Sequence, residues 1–175
     1  MLNKKEKPKE EKIYAFIDAS NIIYGCTRAG WKMDFEKFIQ YLKSRYKVSR
    51  VFYYGGIDPE NRKQLKFYEL LQRFGYEVRM VPMKRFLDGT KKADIDSRMT
   101  FDIMRYLNEY DELIVCTGDG DFFWVLEYLF KEKKIPLRLL AHAVSTAREL
   151  KRLVGSSHFQ NIEDLRHLLE FRDEK

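Results

Sequence analysis

Five short, largely apolar runs divide the chain, at 13–17, 48–54, 76–81, 112–117 and 135–140. Each has the length of a buried strand, and the first four stop at turn-forming residues: Asp18-Ala19-Ser20-Asn21, Gly55-Gly56, Pro82 and Thr117-Gly118. Between the runs, apolar residues recur at intervals of three and four, the period of a helix with one buried face. Phe35, Phe38, Ile39 and Leu42 trace such a face over 35–46, behind Asp34 as its cap. Leu65, Tyr68 and Leu71 trace another over 59–74, with Pro59 suited to the first helical position and Gly75 to the stop. Further helices are predicted over 93–110, from the Gly118 turn to about residue 133, over 145–153 and over 162–171, while the stretch through Gly25 and Gly30 reads as a loop.

Alternating strands and helices with wholly apolar strands call for a mostly parallel sheet covered by helices on both faces, a three-layer α/β sandwich. Right-handed crossovers restrict it to a few doubly wound orders. In such a sheet the carboxyl ends of all strands lie on one edge, where ligands bind. Asp18 and Asn21 follow the first strand, and Asp119 and Asp121 follow the fourth. Asp94 opens the helix that leads into the fourth, so three segments bring carboxylates to one region.

Carboxylates brought this close repel each other, and a proton, a basic side chain or a divalent cation must offset the repulsion. Oxygen donors without neighbouring Cys or His favour Mg²⁺ or Mn²⁺, which can activate water and stabilise charge on a phosphodiester. Asp96, two positions beyond Asp94, is expected to face away from it, toward solvent or as a capping group. Asp102 is expected in a salt bridge or a contact behind the site. Lys84, Arg85, Lys91 and Lys92 form a basic loop able to hold a nucleic-acid backbone. Phe122, Phe123 and Trp124 read as helix core rather than as a surface for stacking bases. Tyr53 and Tyr54 read as ordinary strand residues of which one faces inward. His142, His158 and His167 show no ligand spacing.

Composition adds boundaries. The 175 residues suit one domain, and the net charge of +6 suits a polyanionic partner. Residues 1–12 are rich in Lys and Glu and read as a disordered tail ahead of a domain over 13–175. The two cysteines, Cys26 and Cys116, belong to no metal-binding pattern and fit a reducing, cytoplasmic setting. No apolar run approaches a membrane span, and a homodimer is left open.

Three segments, Phe16–Asn21 (FIDASN), Lys91–Asp96 (KKADID) and Cys116–Phe122 (CTGDGDF), give the chain a family likeness. In order and spacing the sequence resembles the NYN domain family, its LabA-like group, within the PIN-like nuclease fold. The resemblance covers roughly residues 13–165. It implies a PIN-like α/β sandwich and metal-dependent hydrolysis of RNA at an acidic cluster of Asp18, Asp94, Asp119 and Asp121 holding Mg²⁺ or Mn²⁺. Asn21 would be the polar partner and Thr117 the hydroxyl beside it. Gly120 stands where the family commonly has serine, and Ser157-His158-Phe159 replaces a late segment that often carries an acid. The function so implied is a metal-dependent endoribonuclease. The alternative on the same fold is a non-catalytic RNA-binding or adaptor module, and an aspartyl-nucleophile phosphatase is a further enzyme class.

Overall fold

The computed structural model describes residues 11–85 and 89–172. Most of the expected tail, residues 1–10, lies outside the described residues, as do 86–88 of the basic loop. Six strands form one sheet in the order β3-β2-β1-β6-β7-β8, with every pairing parallel. They are β1 (Ile13–Asp18), β2 (Arg50–Ile57), β3 (Glu77–Pro82), β6 (Glu112–Cys116), β7 (Leu137–Ala141) and β8 (Phe159–Asn161). Between β3 and β6 a two-residue antiparallel hairpin, β4 (Lys84–Arg85) with β5 (Lys91–Lys92), stands apart from the sheet.

The sheet separates two apolar cores, and each central strand supplies both in alternation, as the pleat requires. Ala15 and Ile17 of β1, Val51 and Tyr53 of β2, and Ile114 and Cys116 of β6 face one core. That core is closed by α1 (Ala19–Arg28), α2 (Phe35–Tyr46), α3 (Arg62–Phe74) and α7 (Arg166–Leu169). Tyr14, Phe16, Phe52, Tyr54, Leu113 and Val115 face the other, under α4 (Ile95–Arg105), α5 (Phe123–Glu127) and α6 (Arg148–Val154). Tyr53 and Tyr54 are therefore both buried, one in each layer, which corrects the expectation that only one would be. The three-layer α/β architecture is as the strand pattern predicted.

Local differences have local causes. Most of the stretch through Gly25 and Gly30 read as a loop is the helix α1, which ends at Arg28 ahead of Gly30. Asp18 caps it by accepting from the Asn21 backbone N–H at 3.1 Å, and its inward face is Ala19, Ile22, Gly25 and Cys26. Gly25 sits inside this helix because a Cβ there would strike the His142 ring. The helix α3 begins at Arg62 rather than Pro59, because Asn61 accepts from the Gln64 N–H at 3.1 Å. The Gln64 side chain then turns back to Asp58 N and the Gly56 carbonyl at 2.9 and 2.8 Å, tying off the intervening turn. Asp34 and Gly75 cap and stop their helices as expected, Gly75 at φ 100°. Beyond Asp121 the chain winds as a 3-10 turn, then α5, then a π turn, a continuous but uneven helical segment.

Candidate metal centre and nucleic-acid interface

β1 lies beside β6, so their carboxyl ends meet at the point where the strand order reverses. Two hydrogen bonds bind the two ends together, and a third shapes the turn after β6. Asp18, only 5% exposed, accepts from the Thr117 hydroxyl at 3.2 Å, and the same Thr117 oxygen accepts from the Asp119 N–H at 3.2 Å. Asn21, in the first turn of α1, accepts from the Gly118 N–H at 2.9 Å. Asp119 in turn accepts from the Asp121 N–H at 3.0 Å, which fixes the tight turn between them.

The result is an open crevice of about 620 Å³ whose walls include Asp18, Asn21, Tyr24, Lys92, Asp96, Asp119 and Asp121. Asp96, Asp119 and Asp121 each offer a carboxylate oxygen, and these oxygens lie within 4.8 Å of one another. Burial holds the Asp18 carboxyl above its ordinary pKa, and the Asp119 charge adds to this against the bonds from Asn21 and Thr117. Asp96 is raised as well, first by burial and then by the charges of Asp18, Asp119 and Asp121, with Lys92 opposing them.

The structure brings Asp18, Asn21, Thr117, Asp119 and Asp121 together and leaves Asp94 aside. Asp94 is exposed and caps α4, accepting from the Ser97 N–H at 3.3 Å. The Ser97 hydroxyl and N–H hold its pKa below the ordinary carboxylate range, helped by Lys84 and Lys92. Asp96, expected to face solvent, takes the place at the crevice. Asp94 is absent from the crevice walls while Asp96 lines them, and the spacing Asp94-x-x-Ser97 marks Asp94 as the cap of α4.

Lys84 stands opposite Lys92, and Arg85 opposite Lys91, in the hairpin beside the crevice. Trp124, expected in the core, is 76% exposed, and Tyr24 on the crevice wall is 64% exposed. Asp102 lies fully buried behind the site, accepting from Tyr54 and Arg98. His142 is also buried, 3.4 Å from the Cys26 sulfur. Burial keeps that imidazole below its ordinary pKa and pushes the Cys26 thiol up to about 12.

The donor set at the crevice is all carboxylate oxygen, with no imidazole or thiolate among the three converging groups. That chemistry fits a hard divalent cation such as Mg²⁺ or Mn²⁺ and does not favour Zn²⁺.

A parallel three-layer sandwich with acids gathered at the β1–β6 edge is the architecture of a PIN-like α/β protein. The NYN domain model matches residues 12–163, and the chain belongs to the NYN domain family. It is similar to the low amplitude and bright protein LabA of Synechococcus elongatus, 27% identical over 164 residues that span 89% of this chain and 86% of that protein. It is also similar to the crystal structure of a protein of unknown function from Vibrio parahaemolyticus. The TM-score there is 0.78 at 26% identity, covering 94% of this chain and 99% of the other. Among the described residues no helix is long and apolar enough to cross a membrane.

Proposed function

We propose that the chain is a metal-dependent endoribonuclease whose reaction centre is the crevice at the ends of β1 and β6. The observation that carries this reading is the convergence of Asp96, Asp119 and Asp121 within 4.8 Å beside a basic hairpin. Membership of the NYN family supports it, since that family implies a nuclease-like, RNA-related function.

Asp96, Asp119 and Asp121 would hold one Mg²⁺ or Mn²⁺, with Asp18 beside them. Bound there, the ion supplies Lewis acidity toward a phosphodiester oxygen and lowers the pKa of a water. The chain's own residues do the rest. Thr117 and Asn21 keep the 118–121 turn in register with β1, so that the acids stay aligned. Lys92, on the crevice wall, offsets part of the carboxylate charge and attracts phosphate. Lys84, opposite Lys92 in the hairpin, extends that attraction along the RNA backbone.

Purified protein is expected to cut RNA, to stop when a chelator is added, and to resume when Mg²⁺ or Mn²⁺ is restored. RNA binding without cleavage at any metal concentration, and without calorimetric uptake of Mn²⁺, would instead make the chain a binding module.

Metal occupancy has a readout independent of activity. Asp18 and Asp96 are both held above the ordinary carboxylate pKa, so ionising them opposes folding. The metal-free fold gains most from these two groups below the ordinary Asp pKa and loses that gain as pH rises through the raised values. At neutral pH, Asp96→Asn is therefore expected to raise the thermal midpoint of the chelated protein. The same substitution should abolish the further rise that Mn²⁺ gives the parent. Equal Mn²⁺ stabilisation of both proteins would remove Asp96 from the ion's ligands.

A further inference from the structure

Beyond Asp121 the helical segment repeats one exposed position per turn. Asp121, Trp124 and Tyr128 are exposed, while Phe122, Leu126 and Leu129 are buried against the sheet. The exposed residues are spaced by three and four, so they form one stripe that starts at the acidic turn and runs away from it. Trp124 is 76% exposed and Tyr128 40%, a large aromatic area left open to solvent. Phe123, half-buried, stands edge-on to the Trp124 ring with centroids 5.4 Å apart, which limits how far the indole can swing.

The far end of the stripe is basic. The Lys133 ammonium sits 5.4 Å from the centre of the Tyr128 ring, and Lys134 follows it on the surface. At the near end, Tyr24 stands exposed on the crevice wall. Aromatic faces that end in a pair of lysines suit a polyanion that also carries flat rings. An apolar protein partner would be met here by lysines and a carboxylate, and a lipid surface would find no acyl-sized apolar patch around two isolated rings. In a duplex the base faces are covered by their neighbours, so only an unpaired strand can offer them to these side chains.

We propose that the stripe Trp124–Tyr128–Lys133 is a stacking track for the bases of single-stranded RNA, leading the strand into the acidic crevice. This rests on the ribonuclease reading and adds to it the route of the strand and the reason a paired one is refused. Trp124, one turn from Asp121, holds the base nearest the reacting phosphate. Tyr128 holds the next, and Lys133 and Lys134 meet the backbone beyond.

The test uses full-length protein carrying Asp119→Asn, so that bound RNA is not consumed, and a short fluorescein-labelled oligoadenylate as probe. The chain has two tryptophans, and Trp31 is buried at 4% exposure, so quenching of indole emission by unlabelled oligoadenylate reports on Trp124. Saturable quenching is expected with the single strand and none with its duplex. Trp124→Leu and Tyr128→Leu should each weaken binding about ten-fold, measured by anisotropy, because a stacked base loses its platform. Trp124→Phe should keep most of the affinity, since it keeps a ring. All these side chains are exposed, so unchanged thermal midpoints are the folding control.

If the double leucine variant binds the probe as tightly as its parent, the track is wrong while the ribonuclease reading stands. If the parent with all acids intact neither binds nor cuts RNA, both fail together. If the leucine variants bind RNA normally but sediment as monomers where the parent sediments as a dimer, the stripe belongs to a second copy of the chain and the proposal is overturned.

Discussion

Asp119→Asn is expected to lower RNA cleavage by about 1,000-fold or more with the fold intact, a loss of roughly 4 kcal/mol of transition-state stabilisation. The fold should survive because asparagine keeps an oxygen that can accept from the Asp121 N–H, the bond that shapes the turn. What is lost is one of three charges converging within 4.8 Å. The informative partner is Asp94→Asn. Asp94 lies in the family-like segment Lys91–Asp96, but it is exposed, caps α4 and lies outside the crevice walls and the converging carboxylates. An asparagine there keeps the cap, so cleavage should stay within about three-fold of the parent, whereas Asp96→Asn should fall with Asp119→Asn. Rates measured on one labelled RNA across a Mn²⁺ titration decide this. Inactivity of Asp94→Asn beside an active Asp96→Asn would reverse the roles assigned to the two acids.

The largest effect on stability is expected from Asp102→Ala, about 3 kcal/mol. Asp102 is fully buried between α4 and the sheet. One of its oxygens accepts from the Tyr54 hydroxyl at 3.0 Å and from Arg98 at 3.2 Å, and Arg79 Nε stands 3.4 Å from the same atom. Arg79 Nε makes an ion pair by distance but lacks the alignment of a hydrogen bond, and the second Asp102 oxygen is buried without a partner. Burial, reinforced by this carboxylate, raises the Tyr54 phenol far above its ordinary pKa. Truncation leaves the phenol without an acceptor and the two guanidinium groups facing each other. Arg98 is about half exposed, so its share is screened, and most of the cost falls on Tyr54 and Arg79. Urea denaturation should show a lower midpoint with an unchanged slope. A change below about 0.5 kcal/mol would mean that water replaces the carboxylate at no cost.

How much could be read without coordinates follows from the physics of each element. The first, second, fourth and fifth apolar runs are β1, β2, β6 and β7, because strands buried on both faces carry few polar residues to blur the signal. The helix α2 was legible from Asp34 and its inward face. The strand β8 was not, since three half-buried residues show no period. The helix α1 was hidden by Gly25, whose place in it is set by the His142 ring, a contact 117 positions along the chain that local propensity does not register. In the site, Asp18, Asn21, Asp119 and Asp121 stood out because each follows a strand. Asp96 did not, because telling it from Asp94 required knowing which of the two would cap α4. Trp124 was misread because its neighbours are apolar, and only the winding of the segment reveals that it points outward.

The bond between Asp18 and the Thr117 hydroxyl joins residues 99 positions apart. A chain made only as far as α4 already carries Asp18 and Asp96, yet Asp119 and Asp121 are still missing. Synthesis must run past Asp121 before the cluster can exist at all, so the growing polypeptide spends most of its time on the ribosome without the assembled carboxylates.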